Sequence, residues 1–153
     1  MNYEIREATI DDAIYVSQNL READRSELAG LGHNPFQVIL GFHFCEDCIT
    51  VLNNKKEIAA IGGFIPDGAG NAYVWILCTP SIESMGFTFF RRARAEIEER
   101  AAPFYNMLYA LCDSRNKLHH RFLKHMGFQA LRAIPQAPYH IPYLEVVKLC
   151  ATP

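Results

Sequence analysis

The sequence predicts an α/β domain, a mixed and mostly antiparallel sheet with one parallel pair, flanked by helices. Three stretches carry the prediction. Residues 71–100 read as an apolar strand over 72–78, the turn Thr79-Pro80-Ser81, and an amphipathic helix running to about Ala102 and stopped by Pro103. The apolar run 106–112 follows, and strand–helix–strand order implies a right-handed parallel crossover. Ahead of both, 48–52 and 57–65 flank the turn Asn53-Asn54-Lys55-Lys56, and Pro66-Asp67-Gly68-Ala69-Gly70 leads on to the next strand, as in an antiparallel meander.

The remaining elements follow in order. Residues 3–8 alternate as a first strand. Thr9 and Asp12 have the spacing of a capping box, and Ala13, Val16 and Leu20 give the helix after it one apolar face. The charged run 21–27 is a second short helix, broken by Gly30 and Gly32. Residues 35–44 form a further apolar helical piece, or a mobile flap between Gly32 and Gly41. The paired glycines Gly62-Gly63 inside a strand mark a bulge or a close backbone approach. In the long helix, Gly86, Phe90, Ala93, Ile97 and Ala101 form the buried stripe, while Arg92–Glu96, Arg94–Glu98 and Glu96–Arg100 pair four apart on the other face. Residues 115–126 make another helix, with Leu118, Phe122 and Met126 inward and Gly127 in the C-terminal position. Strands at 128–134 and 144–149 close the chain around a loop holding Pro135, Pro138 and Pro142.

Composition sets outer bounds. The 153 residues suit one domain spanning 1–153, and half of them are hydrophobic. A net charge of −2 offers no basic surplus for phosphates, which disfavours nucleic acid as a partner. No apolar run reaches the ~20 residues that span a bilayer, and the N-terminus lacks a signal-peptide core, so the expected location is the cytoplasm. Five cysteines, an odd number, read as reduced thiols. Cys45-x-x-Cys48, with His43 ahead of it, is the single metal-like spacing. It lacks a second ligand pair, so plain cysteines are expected rather than a metal site or a redox dithiol.

The element order, together with Ile5-Arg6-Glu7-Ala8-Thr9 and Asp12 at the start and NKLHHRFLKHMGF over 116–128 near the end, resembles the GNAT (Gcn5-related N-acetyltransferase) superfamily over nearly the whole chain. The resemblance implies the acyl-CoA N-acyltransferase fold and acetyl-CoA-dependent acyl transfer to an amine, with acetyl-CoA as cofactor. The acceptor, a small molecule or a protein, is unnamed, and a homodimer is left open. By the same resemblance the backbone of Ile76, Leu77 and Cys78 receives the thioester carbonyl, Gly86, Phe87 and Thr88 lie at the pyrophosphate, and Asn116 belongs to the late cofactor motif. The family cradles the pyrophosphate with Gln or Arg, two residues, Gly, one residue, then Gly or Ala. Here the register is Glu83-x-x-Gly86-x-Thr88, and Glu83 carries the wrong charge for that place. Weak or absent acetyl-CoA binding is therefore expected. The tyrosine place on the late helix holds Leu123. The stretch Asn116-x-x-His119-His120-Arg121-Phe122-Leu123-Lys124 also resembles small internal virion proteins of short-tailed phages. This implies the alternative of a non-catalytic phage or prophage structural protein, with virion partners and a virion location.

Acetyl transfer needs no protein nucleophile, since an amine attacks the thioester directly. The candidate proton carriers are Glu83, Asp113, His119 and His120. Each also has an ordinary structural reading: a carboxylate matched to a helix dipole for Glu83, a helix cap for Asp113, and one solvated and one packed histidine. Trp75, Tyr73, Phe87, Phe89 and Phe90 read first as core. Tyr139, His140 and Tyr143 either cover a cleft or form a surface.

Overall fold

Seven strands form one sheet in the order β1-β2-β3-β4-β5-β7-β6 in the computed structural model, which describes residues 3–150. The strands are β1 (Glu4–Glu7), β2 (Glu46–Leu52), β3 (Ile58–Pro66), β4 (Asn71–Cys78), β5 (Met107–Asp113), β6 (Gln129–Gln136) and β7 (Ile141–Leu149). The helices are α1 (Ile10–Gln18), α2 (Glu22–Gly30), α3 (Gln37–Phe44), α4 (Phe87–Ala101) and α5 (Lys117–His125). Every pairing is antiparallel except β4 with β5, as the sequence predicts. No helix among the described residues is long and apolar enough to cross a membrane.

Strand alternation distributes the apolar residues to two cores. Ala72, Val74 and Cys78 of β4 face one way and pack with Phe89 and Ala93 of α4 and Phe122 of α5. Leu77 faces the other way and packs with Ala13 and Val16 of α1, Leu28 of α2 and Val38 of α3. The sheet is thus covered on both faces. Phe89, Phe90 and Phe122 form a ring cluster at centroid distances of 5.6, 6.5 and 5.7 Å under α4 and α5.

The local signals fold as their chemistry dictates. The Asp12 amide donates to Thr9 Oγ1 at 3.2 Å and the Thr9 amide to Asp12 Oδ2 at 2.9 Å, closing the capping box. Asp12 also receives Arg6 at 2.6 and 3.0 Å and the Thr50 hydroxyl at 2.9 Å, which fastens α1 to β1 and β2. Gly127 adopts φ +93° and ends α5 with the Phe128 amide reaching back to Leu123. Gly62 lies so close to β4 that a Cβ there would overlap the Trp75 carbonyl and stand 3.0 Å from Ile76 Cα.

Two readings need correction. The helix after β4 does not start from the Thr79-Pro80-Ser81 turn. Thr79 caps a separate 3₁₀ turn, Pro80–Ser84, held by Ile82 to Thr79 and Met85 to Ile82 amide–carbonyl bonds of 3.1 Å. Met85 is then extended, and Gly86 caps α4. Buried Ile82 and Met85 pin this turn to the core. The second concerns the proline-rich loop. Pro135 and Pro142 sit opposite each other inside the β6–β7 ladder, where the edge position of β6 tolerates a missing donor.

Candidate functional site

β4 and β5 pair only from Asn71↔Met107 to Tyr73↔Tyr109. Beyond that point the strands part, while β5 stays paired with β7 as far as Asp113. The parted ends form a wedge whose mouth is held by α2, since the Arg21 amide donates to the Cys78 carbonyl at 2.8 Å. Within the wedge the Leu111 amide reaches Tyr73 Oη at 3.5 Å, and burial pushes the Tyr73 hydroxyl up to about 12.

A buried polar cluster fills the space between α2, α5 and β5. Arg21 Nε donates to Asp24 at 3.0 Å and Arg21 Nη2 to Asn116 Oδ1 at 2.9 Å. The Asn116 amide nitrogen donates to Glu27 at 2.7 Å and to Asp24 at 3.4 Å, while its oxygen also accepts the His119 backbone amide at 3.3 Å. His119 Nδ1 lies 3.0 and 3.1 Å from the two Glu27 oxygens. The Tyr143 hydroxyl donates to the Glu27 carbonyl, and Gly30 leaves it room, because a Cβ there would overlap that hydroxyl. Two cations face two anions, each held by further hydrogen bonds, which is the arrangement that makes buried charge tolerable.

Electrostatics differentiate the members. Burial alone lowers the His119 pKa, but the Glu27 carboxylate and then Cys112 outweigh it and hold the imidazole well above its usual value. His119 is therefore a proton holder at neutral pH. Burial raises Asp24, with Arg21 and His119 opposing. Asp113 is different: burial would raise it, but the chelating Arg115 guanidinium at 2.7–3.2 Å, together with the Arg115 amide, keeps it below the usual carboxylate range.

The predicted residues separate accordingly. His119 and Asn116 enter the cluster. All four hydrogen-bonding positions of the Asn116 amide are taken by the protein itself. Asp113 caps the turn after β5 and is committed to Arg115. His120 is half-buried and outside the wedge lining. Glu83 lies in the 3₁₀ turn, exposed, with Arg21 Nη1 at 4.0 Å. Ile76 and Cys78 line the wedge cavity, and Leu77 is buried on the opposite face. Gly86 caps α4, and the side chains of Phe87 and Thr88 lie outside the described set. Tyr143 is fully buried rather than at a loop surface, while Tyr139 is exposed.

Arg21, Asp24 and Glu27 are absent from the predicted site residues, since the sequence reads 21–27 only as a charged short helix. Their spacing of three places them on one helical face beside Leu20 and Leu28, which was the available signal. Arg21, Asp24, Ile76, Cys78, Ile82 and His119, with the aromatic cluster, surround a cavity of about 20 Å³, room for about one water. Glu27, Cys112 and His119 also bring one ligand atom each within 4.8 Å of one another. Both Glu27 oxygens already accept from Asn116 or His119.

No protein-family profile and no curated protein matches the sequence. Solved structures do match. The chain is similar to a GNAT superfamily phosphinothricin acetyltransferase from Sinorhizobium meliloti in complex with acetyl-CoA, with TM-score 0.74, 12% identity, and coverage of 99% of this chain and 90% of that one. It is similar to the spermidine N-acetyltransferase from Vibrio cholerae in complex with CoA and spermine, with TM-score 0.69, 13% identity, and coverage of 96% and 95%. A GNAT family acetyltransferase from Bacillus anthracis superposes at TM-score 0.68 with 14% identity over 97% and 95%. The chain has the GNAT fold.

Proposed function

We propose that the protein is an acetyl-CoA-dependent N-acetyltransferase acting on an amine. The observation carrying this reading is the parting of β4 from β5 directly beside the start of α4, in a fold whose solved examples include complexes with acetyl-CoA and with CoA and spermine.

The residues present fit the cofactor better than the sequence suggests. α4 begins at Gly86–Phe87, has no side-chain cap, and carries no acidic residue in its first turn. Its leading N–H groups and the positive end of its dipole suit a diphosphate, and exposed Arg91 and Arg92 stand one turn on. Glu83 belongs to the preceding turn and has Arg21 as its counter-charge. The backbone of Ile76–Cys78 and the first turn of α4 would hold acetyl-CoA, which when bound supplies an activated acetyl thioester. The 20 Å³ cavity requires the wedge to widen around the acyl end. His119 holds a proton at its ring, and Asp24, raised by burial and oriented by Arg21, is the carboxylate at the same cavity suited to accept one. Phe89, Phe90, Phe122 and Ile82 exclude water from it.

Calorimetric titration with acetyl-CoA tests the reading, followed by mass-spectrometric detection of acetylated product across polyamines, amino acids and lysine peptides. One saturable site per chain is expected, with affinity changed less than about twofold by Glu83→Gln, because an exposed charge in another turn is screened. Failure to bind acetyl-CoA at millimolar concentration refutes the enzyme and favours a non-catalytic member of the fold.

A further inference from the structure

A pair of free cysteines, Cys45 and Cys48, lies at the start of β2. In an unbroken strand, Cys45 and Cys48, three residues apart, point to opposite faces. Here the ladder gains an extra residue between Glu46 and Ile49, and Asp47 adopts φ +49°. This bulge re-phases the chain and brings the Cys45 thiol and the Cys48 backbone together over Gly63. A Cβ on Gly63 would overlap Cys45 Sγ and stand 3.0 Å from the Asp47 carbonyl and 3.1 Å from Cys48 Cα. Only glycine leaves room for the pair. Directly across the β3–β4 ladder from Gly63 stands Trp75, whose buried Nε1–H has no hydrogen-bond partner.

The neutral Cys45 thiol donates to the Glu46 carbonyl at 3.2 Å. Once Cys45 loses its proton, the Cys48 thiol can donate to it. Against the penalty of burial, the Trp75 indole and the Phe64 amide add to that effect, and together they hold Cys45 below the usual thiol range. Cys48 is pushed up by the same pairing. Cys78 and Cys150 are pushed up by burial. The pair therefore contains one ready nucleophile and one resolving thiol, both half-buried.

We propose that Cys45 and Cys48 form a redox-active dithiol whose substrate is a hydroperoxide. Cys45 Sγ, as thiolate, attacks the terminal peroxide oxygen. The S–O bond forms, the O–O bond breaks, and the departing alkoxide or hydroxide takes a proton. Cys48 Sγ then attacks the Cys45 sulfenic sulfur, giving its proton to the leaving hydroxide. The S–S bond forms and water departs. Two thiols are oxidised by two electrons as the hydroperoxide becomes an alcohol, or water, plus water. An external thiol reverses the disulfide. This chemistry is independent of the acyl-transfer wedge.

Trp75 is the sole tryptophan, so its emission reports on the pair. Reduced protein treated with one equivalent of hydrogen peroxide, quenched by alkylation and mapped by mass spectrometry, should lose two of its five thiols as a Cys45–Cys48 bridge. Trp75 emission should change in step and recover with dithiothreitol. Cys48→Ser should stop at a Cys45 sulfenic acid that dimedone traps, and Cys150→Ser should behave as wild type. In unmodified folded protein, iodoacetamide should label Cys45 ahead of Cys150 at mildly acidic pH, a reading that needs no variant. Oxidation spread over Cys78, Cys112 and Cys150, a Cys45→Ser variant as responsive as wild type, or no bridge with excess peroxide each overturns the proposal.

Discussion

Asn116→Ala probes the cluster most directly, because one amide joins α2 to α5. The substitution removes charge-assisted bonds to Glu27 at 2.7 Å and Arg21 at 2.9 Å, a weaker one to Asp24 at 3.4 Å, and the cap on the His119 amide. Hydrogen bonds to charged groups are each worth about 1.5–3 kcal/mol, and a lost helix cap about 1 kcal/mol. The terms overlap within one network, and a water can enter the hole, so the sum falls to about 3–5 kcal/mol. At about 2–4 °C per kcal/mol for a domain of this size, Tm should fall by roughly 6–20 °C. Urea unfolding monitored by circular dichroism gives the free energy, and differential scanning calorimetry gives Tm. Asn116→Asp adds a directional check. It keeps the acceptor facing Arg21 but sets a carboxylate where the amide donated to Glu27. It should be as destabilised at neutral pH and should recover towards acid, where a protonated Asp can donate again. A loss under about 1 kcal/mol in both variants would show that the cluster is solvated in solution and that the burial argument fails.

Three other outcomes follow from the same coordinates. Because the His119 pKa in the folded protein lies above its unfolded value of about 6.5, its contribution is complete below that pH and fades as pH rises through the folded value. NMR titration should find its ring still protonated at neutral pH in wild type but titrating at lower pH in Glu27→Gln. Asp12 is opposed by burial yet pulled down to about 2 by Arg6, the Thr9 amide and Thr50, so about 2 kcal/mol of stability is present above pH ~4 and is lost as pH falls through 2. Acid unfolding of Asp12→Asn should lack that step. Gly62→Ala should cost about 1–3 kcal/mol or more by forcing β3 off β4, whereas Gly68→Ala, with φ +81° and nothing within 4 Å, should cost about 1 kcal/mol for its backbone alone in urea melts.

Much of the fold was legible because its signals are local. The Thr9–Asp12 box, the Gly127 terminus and the apolar run of 72–78 are each decided within a few residues, and the parallel crossover follows from connection handedness. The break at Met85–Gly86 was not legible. Thr79-Pro80 is a valid helix start, and Ile82, Met85, Phe89 and Ala93 have the spacing that one unbroken helix would also bury on a single face, so no local signal marks the break.

The buried charges show why site residues resist sequence reading more than strands do. Arg21, Asp24 and Glu27 carry the composition of a solvated helix face, and only the face they share with Leu20 and Leu28 distinguishes them from one. Their burial is set by a distant event, the divergence of β4 and β5 after Tyr73, which opens a slot that α2 closes through the Arg21–Cys78 bond. A charged face placed in that slot must find partners, and Asn116 and His119 arrive there because α5 follows the strand forming its other wall. The start of α4 bears in the same way on the electrostatic case against the cofactor. Glu83 was weighed as a first-turn carboxylate, where its charge opposes a diphosphate. With the helix start moved to Phe87, that charge stands in another turn beside Arg21. Where one helix begins thus sets the premise of a functional argument that composition and spacing alone supported, and the acetyl-CoA titration of wild type against Glu83→Gln decides its outcome.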